Sequence, residues 1–269
     1  MKTLNYLILV FCALSFSMAK AELSIKEIVD KNDATRKVQD MIMDAKLFTK
    51  GKSDSDKEKK FKYWQKMMNE KETRFYRLTR FSEPASIKNE GILFLEKSAV
   101  TRDIFLYLPK FKKTRRIENN AQSGSFMGTV FSYSDISVPA IDEMKFKLEK
   151  KEKCPAEYKS SAECYVIKSE GKDRRVTDRI GCGHQMNWIT SDYFLTLQSD
   201  CIDLDGKVKK RVKFGDYEQV DVKKNLWVAK KIEGFDLRTK AYSSFIVTSL
   251  VVNKGVNASV FTTDNLENP

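Results

Sequence analysis

Few residues in this chain could support catalysis. His184 is the only imidazole, so a Ser-His-Asp or Cys-His arrangement would have to use it. It stands in Gly181-Cys182-Gly183-His184, which superficially resembles a thiolate–imidazole pair. A disulfide at Cys182 would remove the thiolate that such chemistry needs. With one histidine and no C-x-x-C spacing, zinc is disfavoured. Asp203 and Asp205 fail the twelve-residue calcium pattern and read as hairpin residues. Neither a phosphate-binding glycine loop nor H-E-x-x-H occurs. The reading is a protein with no catalytic residues, no metal and no cofactor.

What the chain does offer is apolar binding. Residues 123–133 run Ser-Gly-Ser-Phe-Met-Gly-Thr-Val-Phe-Ser-Tyr, with Phe126 and Met127 between Gly124 and Gly128 and Phe131 just beyond. The surrounding segment, 118–140, is too long and too apolar for an idle connection, and loops of that kind often act as lids. Phe126, Met127 and Phe131 are therefore the candidate lid contacts with an apolar ligand, and Trp188 a candidate cavity wall. The plain alternative is a loop that covers the core. Ser134-Asp135 suits the cap of a short helical turn that Pro139 would end. Just before it lie Lys110, Lys112, Lys113, Arg115 and Arg116. These suit contact with lipid headgroups or an acidic partner. They equally suit a solvated edge strand, where lysine prevents edge-to-edge association.

The elements that must position these residues are mostly strands. Residues 1–21 read as a signal peptide: Lys2, an apolar run from Leu4 to Phe16 too short to span a bilayer, and Ala19-Lys20-Ala21 as cleavage site. Leu23–Asp33 reads as a short amphipathic helix, with Ser24 and Glu27 as a capping box and Ile25, Ile28 and Val29 as its apolar stripe. A dozen strand-like runs follow, with Asp205-Gly206 as a strong hairpin turn and Val260–Thr262 as a last short strand. No long Pro- or Ser-rich linker divides the chain, so residues 22–269 form one domain. The pattern implies one large curved antiparallel sheet or open barrel.

Four cysteines follow the leader, and an even number in an exported chain suggests disulfides. Cys154 and Cys164 flank a turn. A two-residue turn at Ser191-Asp192 would pair residue 190 with 193 and set 182 opposite 201. The expected bonds are Cys154–Cys164 and Cys182–Cys201. The net charge of +12 is about +10 without Lys2 and Lys20, which suits an anionic partner such as a membrane surface. Export makes nucleic acid the least suitable.

The runs Leu106-Tyr107-Leu108-Pro109, Lys113, Arg115-Arg116-Ile117 and Ser123-Gly124-Ser125-Phe126-Met127-Gly128 resemble the LolA-like family of bacterial outer-membrane lipoprotein-sorting proteins. Phe131-Ser132-Tyr133, Asp135, Cys164–Ile167, Trp188-Ile189, Asp205-Gly206-Lys207, Asp216-Tyr217, Asp236–Thr239 and Phe261-Thr262 follow in the same order, so the likeness covers nearly the whole mature chain. It implies a mainly β fold: a half-open antiparallel β-barrel, a strongly curved sheet closed by a short N-terminal helix and a lid. It also implies a periplasmic carrier of lipid or lipoprotein acyl chains, working between membranes or with an inner-membrane transporter through peripheral membrane contact. The alternative is a non-catalytic periplasmic adaptor or sensor that binds a transporter or regulatory protein. The four cysteines and the charged segment 50–60 depart from the family pattern.

Overall fold

The computed structural model describes residues 22–50, 57–71, 74–98, 102–137, 139–158 and 162–268. The leader and most of the charged segment 50–60 lie outside them. Thirteen antiparallel strands form one sheet. They are β1 (Asp40–Lys50), β2 (Lys57–Asn69), β3 (Arg74–Glu83), β4 (Gly91–Glu96), β5 (Arg102–Leu108), β6 (Lys113–Arg116), β7 (Met144–Lys153), β8 (Glu163–Gly171), β9 (His184–Thr190), β10 (Thr196–Ile202), β11 (Val208–Asp221), β12 (Leu226–Asp236) and β13 (Tyr242–Val252). Four short helices accompany them: α1 (Ile25–Ala34), α2 (Tyr133–Ile136), α3 (Arg174–Ile180) and α4 (Thr263–Glu267).

The strand order is β6-β5-β4-β3-β2-β1-β13-β12-β11-β10-β9-β8-β7. Two meanders thus meet where β1 pairs with β13. The edges, β6 and β7, do not pair with each other, so the sheet curves without closing into a barrel. Both edges are lined with cations, Lys113, Arg115 and Arg116 on one and Lys145, Lys147, Lys150 and Lys151 on the other. Charge of this kind blunts pairing with a second chain. The basic stretch is therefore, in part, the edge strand that one of its two readings requires.

Alternation decides what each face carries. On β1, Met41, Met43, Ala45 and Leu47 are buried in the concave core, one residue in two. β4 is buried throughout because both of its faces are covered. Ile92 and Phe94 join the concave cluster, while Leu93 and Leu95 pack under Val256, Phe261 and Leu266 of the C-terminal segment. α1 begins as its capping box requires. The Ser24 N–H donates to Glu27 Oε2 at 2.8 Å, and the Glu27 N–H to Ser24 Oγ at 3.3 Å. Ile28 and Val29 then dock on Tyr165, Ile167 and Ile189.

Three expectations are corrected. Val260–Thr262 is not a strand: residues 258–260 form a 3₁₀ turn, and Thr262 caps α4 by accepting from the Asn265 N–H at 3.1 Å. The sequence reading had no helix at 174–180, yet Asp173 Oδ1 accepts from the Val176 N–H at 2.9 Å and Gly181, at φ 71°, closes α3. The β9–β10 hairpin is also wider than a two-residue turn. The Thr190 N–H donates to the Leu195 carbonyl at 2.9 Å, and Ile202, not Cys201, is the last rung, opposite His184. Cys182 therefore lies beyond the end of β9.

Both disulfides are present, with Cα separations of 4.9 Å for Cys154–Cys164 and 5.5 Å for Cys182–Cys201. They close loops of 10 and 19 residues. Replacing Cys182 and Cys201 together by serine should lower unfolding free energy by about 3 kcal/mol, and replacing Cys154 and Cys164 by somewhat less, because the shorter loop constrains the unfolded chain less. Denaturant titration of the two double variants measures this; equal stability with the wild type would refute it.

Candidate functional site

The segment between β6 and β7 crosses the concave face as a strap. Its tip is a tight loop: the Phe126 N–H donates to the Phe131 carbonyl at 2.7 Å, and Met127 and Gly128 carry φ of 53° and 74°. The loop drives Phe126 into the sheet, where its ring packs at 6.4 Å from Phe81, 6.5 Å from Phe94 and 5.7 Å from Tyr133. Phe131 lies over β12 at Gly234, where an added Cβ would come within 3.0 Å of the Phe131 ring. Only a residue without a side chain admits the strap so closely. The Val130 N–H donates to Ser243 Oγ at 3.1 Å, tying the tip to β13.

Ions pin the base of the strap. Glu96 of β4 pairs with Arg77 and, at 2.8 Å, with Arg102, and accepts from Ser137 Oγ at 2.6 Å. Glu143, just before β7, pairs at 2.6 Å with Arg102 and at 2.6 Å with Arg179 of α3. Every one of these charges is buried. Burial by itself would raise the Glu96 pKa, but the fields of Arg77 and Arg102 and the Ser137 and Phe75 hydrogen bonds overcome it and hold the pKa at about 2. Glu143 is likewise held below its ordinary value, by Arg102 and Arg179 against burial. Higher on the strap, Asp135 of α2 pairs with Lys210 of β11.

Beside the strap, under α1, the concave face remains open. A cavity of about 430 Å³ lies there, within the range of small-molecule sites. Its wall is uneven. Phe214, Ile232 and Phe245 are consecutive cross-strand partners on β11, β12 and β13 and form an apolar stripe. Across β8 to β10 the wall is mixed, with Ser169, Gln185, Asn187 and Ser199 among Ile167, Ile189 and Cys201. Arg77 also reaches the wall. Its Nε donates to Gln65 Oε1 at 3.1 Å, and Gln65 accepts from the Tyr63 hydroxyl at 3.0 Å. Burial pushes the Tyr63 pKa up to about 12, so this wall carries no phenolate.

A family model described as uncharacterized-protein-like matches residues 74–268. The chain belongs to that family. No curated protein matches its sequence. Among solved structures, a domain from Vibrio parahaemolyticus assigned to outer-membrane lipoprotein sorting superposes with a TM-score of 0.80 at 22% identity, over 90% of this chain and 97% of that one. A DUF1329 family protein from Desulfovibrio piger gives 0.78 at 20% identity, over 89% and 96%. A LolA superfamily protein from Nitrosomonas europaea gives 0.69 at 15% identity, over 91% and 100%. The fold is that of the LolA superfamily, a mainly β, strongly curved, open sheet.

Set against this geometry, the site residues read from sequence divide. Phe131 lines the cavity. Phe126 does not; it is 2% exposed and is part of the filled core, with Met127 packed beside it. The strap is thus anchored over the core by Phe126 while Phe131 borders the cavity. Trp188 is also outside the cavity lining. Asn187 and Ile189 face the cavity, so the residue between them points to the other side. There its Nε1 donates to Glu152 Oε1 at 2.7 Å beside the Cys154–Cys164 bond. The residues that sequence reasoning missed, Phe214, Ile232 and Phe245, sit at alternating positions of ordinary-looking strands. His184 ends β9 opposite Ile202, its pKa lowered by burial and by Lys168. Among the described residues no group of three His, Cys, Asp or Glu could hold a metal.

The depressed Glu96 pKa sets an acid limit. Its contribution, on the order of 3 kcal/mol, is complete above the unfolded value near 4.5 and disappears as pH falls toward about 2. Thermal melts between pH 6 and pH 2 should show a steep loss in roughly that window. Glu96→Gln should flatten the loss while costing about 3–5 kcal/mol at neutral pH, because Arg77 and Arg102 keep their burial without the anion. A variant with the wild-type acid profile would disprove the assignment.

Proposed function

We propose that this protein is a non-catalytic periplasmic carrier that shelters an acyl chain of a lipid or lipoprotein and passes it between membranes, or to or from an inner-membrane transporter. The observation that carries this reading is the cavity: about 430 Å³, walled on one side by Phe214, Ile232 and Phe245 and covered by α1 and the strap. Each methylene moved from water into such a space is worth about 0.8 kcal/mol, so a chain of ten gains roughly 8 kcal/mol before binding costs. Two disulfides suit the oxidising compartment in which such a carrier would work. The Vibrio neighbour's assignment to lipoprotein sorting supports the same reading.

Native mass spectrometry of gently purified protein should show co-purifying lipid. Phe214→Gln with Ile232→Gln should abolish that lipid while lowering Tm by only about 2–5 °C, since both side chains are half-buried on the wall. Phe126→Asp is the contrasting control: it should unfold the protein, as expected of a filled core position. A folded wild type that carries no lipid and takes up no added fatty acid would overturn the carrier reading.

A further inference from the structure

The turn between β5 and β6 is built for a surface, not for the core. Pro109–Phe111 form a 3₁₀ turn, and the Lys112 N–H closes it onto the Pro109 carbonyl at 3.0 Å. Phe111 stands at this tip 61% exposed, the one phenylalanine among the exposed large apolar side chains of the described residues. Lys110, Lys112, Lys113 and Arg115 are all exposed around it. Among the described residues none of these four has an acid within ion-pair distance, whereas Arg116, next in sequence, is paired with Asp103 at 2.6 Å. Lys112, Lys113 and Arg115 line one groove together with Leu108 and Phe111, so the cations and the ring share one side of the hairpin.

The backbone adds a second observation. Lys112 holds φ 46° and ψ 45°, the left-handed conformation in which glycine is cheaper. The turn thus bears strain and keeps a cation at the point where relieving the strain would remove it.

Edge protection accounts for the cations on β6 but not for an exposed phenylalanine at the turn before it. An acidic protein would satisfy the lysines and still need a matching pocket for the ring. An anionic bilayer serves both at once: phosphates meet the cations, and the ring enters the acyl boundary. Strand register places the β12–β13 turn at the same end of the sheet, and it contributes exposed Arg238 and Lys240.

We infer that the β5–β6 turn is a membrane-docking wedge, in which Phe111 inserts into the interface of an anionic bilayer and Lys110, Lys112, Lys113 and Arg115 pair with its lipid phosphates. The inference does not depend on the cavity, since an empty carrier and a loaded one present the same turn.

Co-sedimentation of the full chain with large unilamellar vesicles tests it. Vesicles containing phosphatidylglycerol should bind the protein, pure phosphatidylcholine vesicles should bind it far less, and high salt should release it. At roughly fivefold per charge, the triple variant Lys110→Gln, Lys112→Gln, Lys113→Gln should lose about a hundredfold in partitioning. Phe111→Ser should lose about tenfold at unchanged charge. Lys112→Gly separates docking from folding: it should leave Tm equal or higher while weakening vesicle binding. Equal binding to neutral and anionic vesicles, binding to neither, or undiminished binding by Phe111→Ser would each overturn the inference. The native mass spectrum of bound lipid is read separately, so failure here leaves the carrier reading standing.

Discussion

The structure depends on one chain of buried charges. Glu96 and Glu143 are each clasped by arginines from different parts of the fold: Arg77 from β3, Arg102 from β5 and Arg179 from α3. Removing such ions from water is costly, and each is tolerable only while its partners remain in place. The network therefore behaves as a single unit that fixes where the strap returns to the sheet, where α3 sits and where β7 begins. Apolar packing alone would leave these three elements free to slide over the concave face, because greasy contacts are not directional. The ions supply the direction.

From that anchoring follows the asymmetry of the core. The strap drives Phe126, with Tyr133 against it, onto Phe81 of β3 and Phe94 of β4, and there the interior is filled. Beyond it the cover is short: α3, whose Ile180 lines the cavity, and α1, a helix of 10 residues and so about 15 Å long. So short a helix covers few strands at a spacing of about 4.8 Å. The cavity is what a wide curved sheet leaves when its cover runs out. Its wall carries an apolar stripe across β11 to β13 and is mixed over β8 to β10, where Gln185 and Ser199 occupy inward positions beside Ile167 and Ile189.

The sequence revealed periodicity far better than it revealed neighbours. Gly91–Glu96 was legible to the residue as a strand, and the capping box of α1 was legible from Ser24 and Glu27, because both signals are local. The cysteine pairs were right while the register offered for one of them was wrong. Counting back from a two-residue turn aligned Cys182 with Cys201, but the true loop holds Phe194 at φ 59°, and the ladder ends one residue beyond Cys201. Cys182 stands between Gly181, which holds φ 71° as the cap of α3, and Gly183, whose N–H donates to the Ile202 carbonyl at 2.8 Å. α3 escaped notice because its seven residues show only Val176 and Ile180 as an apolar stripe, and its largest buried member, Arg179, looks like a surface residue until Glu143 is beside it.

The same limit explains why the glycine-spaced aromatics could not be sorted from sequence: Phe131 lines the cavity and Phe126 fills the core. Phe126 and Phe214 are chemically identical, and nothing adjacent in sequence says that one fills a core while the other faces a void. What separates them is supply and demand across the sheet. Phe126 arrives on a strap whose tight loop and ionic base hold it against Phe81 and Phe94, so its contacts are complete. Phe214, on β11, packs against the core only in part and lines the cavity, so its contacts are left partly unmade. A void of that size forfeits dispersion contacts on every wall. The strongest restraints gather at its border: the Cys182–Cys201 bond through Cys201, the Glu96 network through Arg77, and the Lys210–Asp135 pair. A fold that gives up packing in its interior needs directional and covalent restraints around the opening, and in this chain the ionic ones come from residue types that sequence patterning assigns to the surface.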